Sequence, residues 1–222
     1  MISPDRKARK KLKRHEQILE AAYQVFREVG YSAATVDLIA ERADIAKGTI
    51  YIYFKSKEDL YFSLLVNGLD ILIDLLREMA ANNPSEDPLR ETAKTLFQFY
   101  TDYTDYFRLF MVMQQEDMQA KLTPELSDQL NARGTTILKA LSTQIKSLAN
   151  RGRSYGPVDP WNIANIIWGA FTGITQLAIT REHLKVRSTN IEDLLNLCFT
   201  VIHRGLSSDS GGIEPTRSKK GP

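Results

Sequence analysis

The 222 residues contain one cysteine, Cys198, so no disulfide can close within the chain. That excludes the small secreted scaffolds stapled by disulfides and suits a reducing compartment. Cys198 sits in an apolar helical stripe and reads as a packed thiol rather than a redox sensor. Histidine is scarce too: His15, His183 and His203 show no metal-ligand spacing, and neither metal nor cofactor is expected. No serine or cysteine lies in a nucleophile motif, no glycine-rich loop is built to cradle phosphate, and paired acids such as Glu116-Asp117 and Glu192-Asp193 read as helix surface. An enzyme on a helical bundle would need clustered ionisable groups, which are missing. No apolar window approaches the roughly 18–20 residues of a membrane span, and no apolar segment follows the basic start as in a signal peptide. A cytoplasmic protein without a membrane partner is expected.

Net charge is nearly absent as well, at +2, but its distribution is uneven. Residues 1–14 carry seven basic side chains (Arg6, Lys7, Arg9, Lys10, Lys11, Lys13 and Arg14) against Asp5 alone. Ile45 to Lys57 holds Lys47, Lys55 and Lys57 with no acid. Basic charge gathered in short stretches is what phosphate contact requires.

Sustained β alternation is missing, and the apolar spacing between His15 and Leu206 is helical, so the expected fold is all-α with about nine helices. Ile18, Ala22, Val25, Phe26 and Val29 form one stripe, with Gly30 as its stop. Thr35 is placed to cap a short helix over 36–43, and a second short helix follows over 47–54. Ser56 opens a long leucine-rich helix, broken at 82–85. Capping residue and proline mark three further starts: Asp87-Pro88, Thr123-Pro124 and Asp159-Pro160. Residues 151–157 read as a loop, and Thr189 to Glu192 as the capping box of a last helix to about Leu206. The division expected is a flexible basic arm (1–14), a helix-turn-helix domain (15–56), a larger helical domain (57–206) and a disordered tail (207–222).

Function concentrates between Thr35 and Lys57. Two short helices joined at Asp44-Ile45-Ala46 have the spacing of a DNA-binding helix-turn-helix. Asp44 suits a left-handed turn position. The second helix is expected to show Lys47, Thr49, Tyr51 and Tyr53 outward and to turn Ile50 and Phe54 inward. Gly48, without a side chain, lets the backbone approach DNA closely.

The run from Lys47 to Leu60, KGTIYIYFKSKEDL, with TVDLIAERA over 35–43 before it, resembles the signature of the TetR family of transcriptional regulators. The specific resemblance covers about residues 15–62. It implies phosphate contacts from Thr35, Lys57 and the hydroxyls of Tyr51 and Tyr53, with Lys47, Gly48 and Thr49 at or near base edges in the major groove. Two departures stand out: the family usually has Gly where Asp44 stands and commonly Ser where Ala46 stands, and the second removes a helix cap. The basic arm reads equally as solvated charge or as an arm on DNA.

In the larger region, Phe97, Tyr100, Tyr103, Phe107, Phe110 and Met111 crowd one stretch. Tyr100, Tyr103, Phe107 and Phe110 share a helical face. They read as hydrophobic core or as a pocket for an apolar small molecule, with Trp168 and Thr172 as further candidate ligand contacts. The resemblance implies a ligand-binding and dimerisation domain whose last two helices pair with their symmetry mates. The expectation is a ligand-responsive regulator, a repressor, that binds a pseudo-palindromic double-stranded operator as a homodimer and is released by a small hydrophobic effector. The alternative is a DNA-binding module without an inducer, controlled by a protein partner.

Overall fold

A computed structural model describes residues 4–82, 87–113, 116–149, 158–184 and 190–207. Residues 83–85 of the expected break, the loop at 151–157, Thr189 of the expected capping box and all but the first residue of the tail at 207–222 lie outside them. The described residues form ten helices and no strands: α1 (Pro4–Ala33), α2 (Val36–Arg42), α3 (Lys47–Tyr51), α4 (Lys57–Asn82), α5 (Pro88–Asp102), α6 (Thr104–Met113), α7 (Glu116–Gln119), α8 (Pro124–Ala149), α9 (Pro160–Leu184) and α10 (Ile191–Ser207).

Local chemistry sets most of these boundaries. Gly30 interrupts α1 at φ 75°, ψ 169°, a conformation that glycine adopts at little cost. Thr35 Oγ1 accepts from the Leu38 N–H at 3.2 Å, and Asp44 holds φ 52° in the turn before α3. Ser56 Oγ accepts from the Asp59 N–H, while the Asp59 carboxylate accepts from the Lys55 N–H at 2.8 Å. This is a reciprocal cap displaced by one residue from the usual box. Asp87, Thr123 and Asp159 cap the helices that open at Pro88, Pro124 and Pro160.

Three expectations change. The basic segment is helical from Pro4, so it forms the first turns of α1 rather than a flexible arm. Lys, Arg, Ala and Leu are good helix formers, and exposed like charges along a helix face are tolerated in water. The aromatic stretch is not one helix, because Tyr103 (φ −129°, ψ 32°) separates α5 from α6. The Thr101 hydroxyl donates to the Phe97 and Gln98 carbonyls, and the Thr104 hydroxyl donates to Tyr100; such bonds compete with the helical ladder. Tyr100 and Tyr103 therefore do not continue a face with Phe107 and Phe110. Finally, Pro160–Thr180 carries no charged residue, has a mean hydropathy of 1.3, and is long and apolar enough to cross a membrane by length and composition.

Packing divides the chain into two units, one of residues 1–69 with 105–131 and one of 70–104 with 132–222. This grouping differs from a single boundary after Ser56, because α6 and α7 share the core of the N-terminal helices. That core includes Ile18, Ala22 and Phe26 of α1, Ile39 of α2, Ile50 of α3, Leu60 and Tyr61 of α4, and Leu109 and Met118. The Tyr61 hydroxyl donates to the Leu109 carbonyl, and Tyr23 stacks on Tyr106 with ring centroids 5.0 Å apart. Gly68 faces the Tyr106 ring so closely that a Cβ would lie 2.8 Å from it. In the second unit Leu89, Leu96 and Phe99 of α5 are buried, as are Ile163, Ile167 and Phe171 of α9 and Leu195 and Phe199 of α10. Arg133 grips Asp70 there through two bonds of 2.9 Å.

Candidate nucleic-acid interface

α2 is fastened to α1 by polar contacts at its C-terminal end. Arg42 makes two bonds to Glu28, at 2.8 and 2.6 Å, and the Gln17 side-chain amide donates to the Ala43 carbonyl at 2.7 Å. Bidentate geometry fixes orientation as well as proximity. Beneath them Ile39 and Ile50 are fully buried, and Phe54 packs against His15 with centroids 4.7 Å apart. Burying each of these apolar side chains contributes about 1.5–3 kcal/mol, enough to seat a helix of five residues that has no stability of its own.

What α3 shows to solvent follows from its 100° step per residue. Lys47, Gly48, Tyr51 and Ile52 are exposed, whereas Thr49 and Tyr53 are half-buried and Ile50 and Phe54 are buried. The expected outward row of Lys47, Thr49, Tyr51 and Tyr53 alternates like a strand, and the helix replaces it with pairs one turn apart. Thr49 and Tyr53 sit on the flank, Tyr53 against the core of the first unit. Ile52 lies outside the set expected from the sequence, and the helical step places it on the exposed face.

Each remaining candidate has a definite place. Lys47 Nζ lies 2.8 Å from Asp37 Oδ2, and this bond holds the ammonium's proton affinity above the usual lysine range. Gly48 is not in the left-handed region, and a Cβ there would meet nothing within 4 Å. Thr35 spends an oxygen lone pair on its cap and retains its hydroxyl hydrogen for another acceptor. Ala46, at the N-cap of α3, makes no side-chain cap, as its departure from the family pattern implies. Lys57 is turned to the protein itself: its ammonium donates to the Tyr31 and Ala34 carbonyls at 2.9 Å each and lies 4.3 Å from the centre of the Tyr31 ring. Two of its three donors thus close the end of α1.

Beside Lys57, the Tyr31 hydroxyl donates to Glu58 at 2.7 Å, and Lys121 Nζ approaches Glu58 to 3.6 Å. Burial pushes the Glu58 carboxyl up. Hydrogen bonds from Tyr31, its own backbone and Ser56, together with the Lys121 charge, outweigh burial and hold it at about 2.

The seven candidate ligand residues are dispersed between the units. Phe97, Tyr100 and Tyr103 on or next to α5 and Trp168 and Thr172 on α9 belong to the second, Phe107 and Met111 on α6 to the first. Tyr100 and Phe107 are buried and the other five half-buried. Trp168 lies 5.8 Å from the Phe171 ring, and the Thr172 hydroxyl donates to the Trp168 carbonyl at 3.0 Å. Two hollows occur elsewhere, one of about 180 Å³ ringed by Tyr23, Tyr31, Tyr61, Asp105 and Arg108, and a cleft of about 510 Å³ between α5 and α10. None of the seven lines either.

Residues 18–64 match the family of bacterial regulatory proteins named for tetR. The transcriptional regulator RutR of Escherichia coli O157:H7 is 28% identical over 153 residues, 69% of either chain. A fatty acid metabolism regulator of Bacillus subtilis is 40% identical over 70 residues, 32% of this chain and 36% of the relative. The solved structure of FadR from Bacillus subtilis, in complex with stearoyl-CoA, superposes with a TM-score of 0.70 at 22% identity, over 86% of this chain and 98% of that one. These relatives are regulators rather than enzymes, and the motif they share with this chain is the one that seats α3 with one face bare. Over residues 18–64 the chain carries the DNA-binding motif of the TetR family, and over 69% of its length it is similar to a transcriptional regulator.

Proposed function

We propose that the protein acts in the cytoplasm as a homodimeric repressor that holds a pseudo-palindromic operator and releases it when a small hydrophobic molecule binds. The observation that carries the reading is the outward face of α3. It offers a lysine, a phenol and a bare stretch of backbone from a helix whose other side is anchored by Ile50. Tyr51 would donate to phosphate, Lys47 and Gly48 would meet base edges, and Thr49 and Tyr53 would serve from the flank. Thr35 would contribute at the start of α2, and Lys57 through its remaining donor.

Pairing of two copies is supported by α9 and α10. Ile166 and Leu177 on α9 are 58% and 51% exposed, Leu197 and Val201 on α10 are 60% and 61% exposed, and glycines at 169 and 173 have open space around them. Both helices are also buried along an opposite side, at Phe171 and Phe199 among others. A helix uncharged over Pro160–Thr180 and apolar on two sides fits core packing on one and a second copy on the other.

For release, the effector must favour the DNA-free arrangement by differential affinity; a ligand that binds both states equally shifts nothing. Phe97, Tyr100, Tyr103, Phe107, Met111, Trp168 and Thr172 are the residues proposed for it. Stearoyl-CoA in the Bacillus subtilis FadR structure is an effector-sized ligand with a long apolar part, the same broad chemistry.

Fluorescence anisotropy on operator and random duplexes tests the division of roles. Tyr51→Ala should weaken binding to both alike, and Lys47→Ala should alter the preference between sequences. Equal losses on both duplexes for both variants would contradict it.

A further inference from the structure

Ile52 is the most exposed large hydrophobic side chain among the described residues, at 74%. It closes α3 in helical conformation (φ −72°, ψ −26°), with its N–H bonded to the Thr49 carbonyl at 3.2 Å. It therefore continues the face of Lys47, Gly48 and Tyr51 by one helical step beyond Tyr51. A branched aliphatic chain gains nothing from phosphate oxygens. In the major groove one apolar group is on display, the C5 methyl of thymine, and aliphatic contact with that methyl is how a side chain without donors distinguishes a base pair.

We infer that Ile52 is a specificity-determining residue that reads thymine in each half-site by packing against its C5 methyl. This rests on the DNA-reading role proposed above for α3. It adds to that role a defined base preference, set by a residue outside the polar and aromatic set expected from the sequence.

The test deletes the methyl and the side chain separately. In the duplex that the protein selects from genomic fragments, each thymine is replaced in turn by deoxyuridine, which differs only in lacking that methyl. For the wild type, one thymine per half-site should prove sensitive, with affinity falling about fourfold for each methyl lost, the equivalent of about 0.8 kcal/mol. Ile52→Ala should bind the thymine and deoxyuridine duplexes equally, and Ile52→Val should keep part of the discrimination. Circular dichroism should show all three proteins equally helical, since the side chain touches little of its own domain. A selective wild type indifferent to every thymine methyl, or an alanine variant that keeps the full fourfold penalty, overturns the role of Ile52 and leaves the α3 reading standing. A wild type that binds selected and random duplexes alike overturns both.

Discussion

Gly48 separates the needs of the fold from the needs of DNA. Within the protein nothing asks for glycine at this position: its φ is not left-handed, and an added Cβ would stand in open space. Glycine inside a helix costs about 0.5–1 kcal/mol relative to alanine, because it surrenders more backbone freedom on folding. Gly48→Ala should therefore stabilise the free protein by a few tenths of a kcal/mol up to about 1 kcal/mol, the lower figure reflecting its place in the first turn. Bound to DNA, the same methyl would intrude where backbone meets the groove. Overpacking a close contact costs about 1–3 kcal/mol, which is about a 5- to 150-fold loss of affinity in each half-site. Urea unfolding reads the first effect and anisotropy on the operator the second, and the two should have opposite signs. Unchanged affinity would mean that the Gly48 backbone does not lie against DNA. A loss of stability would mean that α3 does not have the geometry described.

Ala46→Ser should restore the missing N-cap of α3 and raise stability by about 1 kcal/mol in urea unfolding. Glu58 supplies a pH-dependent term. Its folded pKa of about 2 lies below its unfolded value near 4.3, so its contribution is present above that unfolded value and fades as pH falls towards 2. Glu58→Gln should cost about 1–3 kcal/mol at pH 7, with the gap from wild type narrowing between about pH 4.3 and 2 in urea titrations. A gap constant with pH would mean that the carboxylate charge is not what Tyr31, Ser56 and Lys121 stabilise. Leu197→Glu with Val201→Glu changes two exposed side chains, and exposed substitutions ordinarily cost within about 0.5 kcal/mol. Sedimentation should nevertheless show dimer converted to monomer with helical content retained, and dimers that persist would place the pairing surface elsewhere.

The features legible in the sequence were those fixed by local chemistry. Thr35, Ser56, Asp87, Thr123 and Asp159 cap helices because their oxygens reach backbone N–H groups two or three residues on, and that spacing is visible in one dimension. Asp44 and Gly30 adopt the positive φ that their residue types tolerate. What escaped depended on more than neighbours. A helix of five residues is too short for its periodicity to stand out, so the outward set on α3 was assigned by residue chemistry and missed Ile52. The resemblance implies a phosphate contact for Lys57, yet the end of α1, brought close only by folding, takes two of its donors. The grouping of α6 and α7 with the N-terminal helices rests on contacts such as Tyr61 with Leu109 and Lys121 with Glu58, across distances no local pattern encodes. The division of the aromatic stretch at Tyr103 followed from threonine hydroxyls whose influence on the helix ladder depends on backbone geometry.

The central claim, that two copies read a specific sequence through α3, is tested most directly by selecting genomic fragments with the purified protein and measuring affinity for the best one as salt is raised. The account predicts an inverted repeat whose half-sites lie about one helical turn apart, bound by two protomers at nanomolar strength and weakened by salt. Enrichment of fragments with no shared motif, bound as strongly as random duplex at every salt concentration, would contradict it.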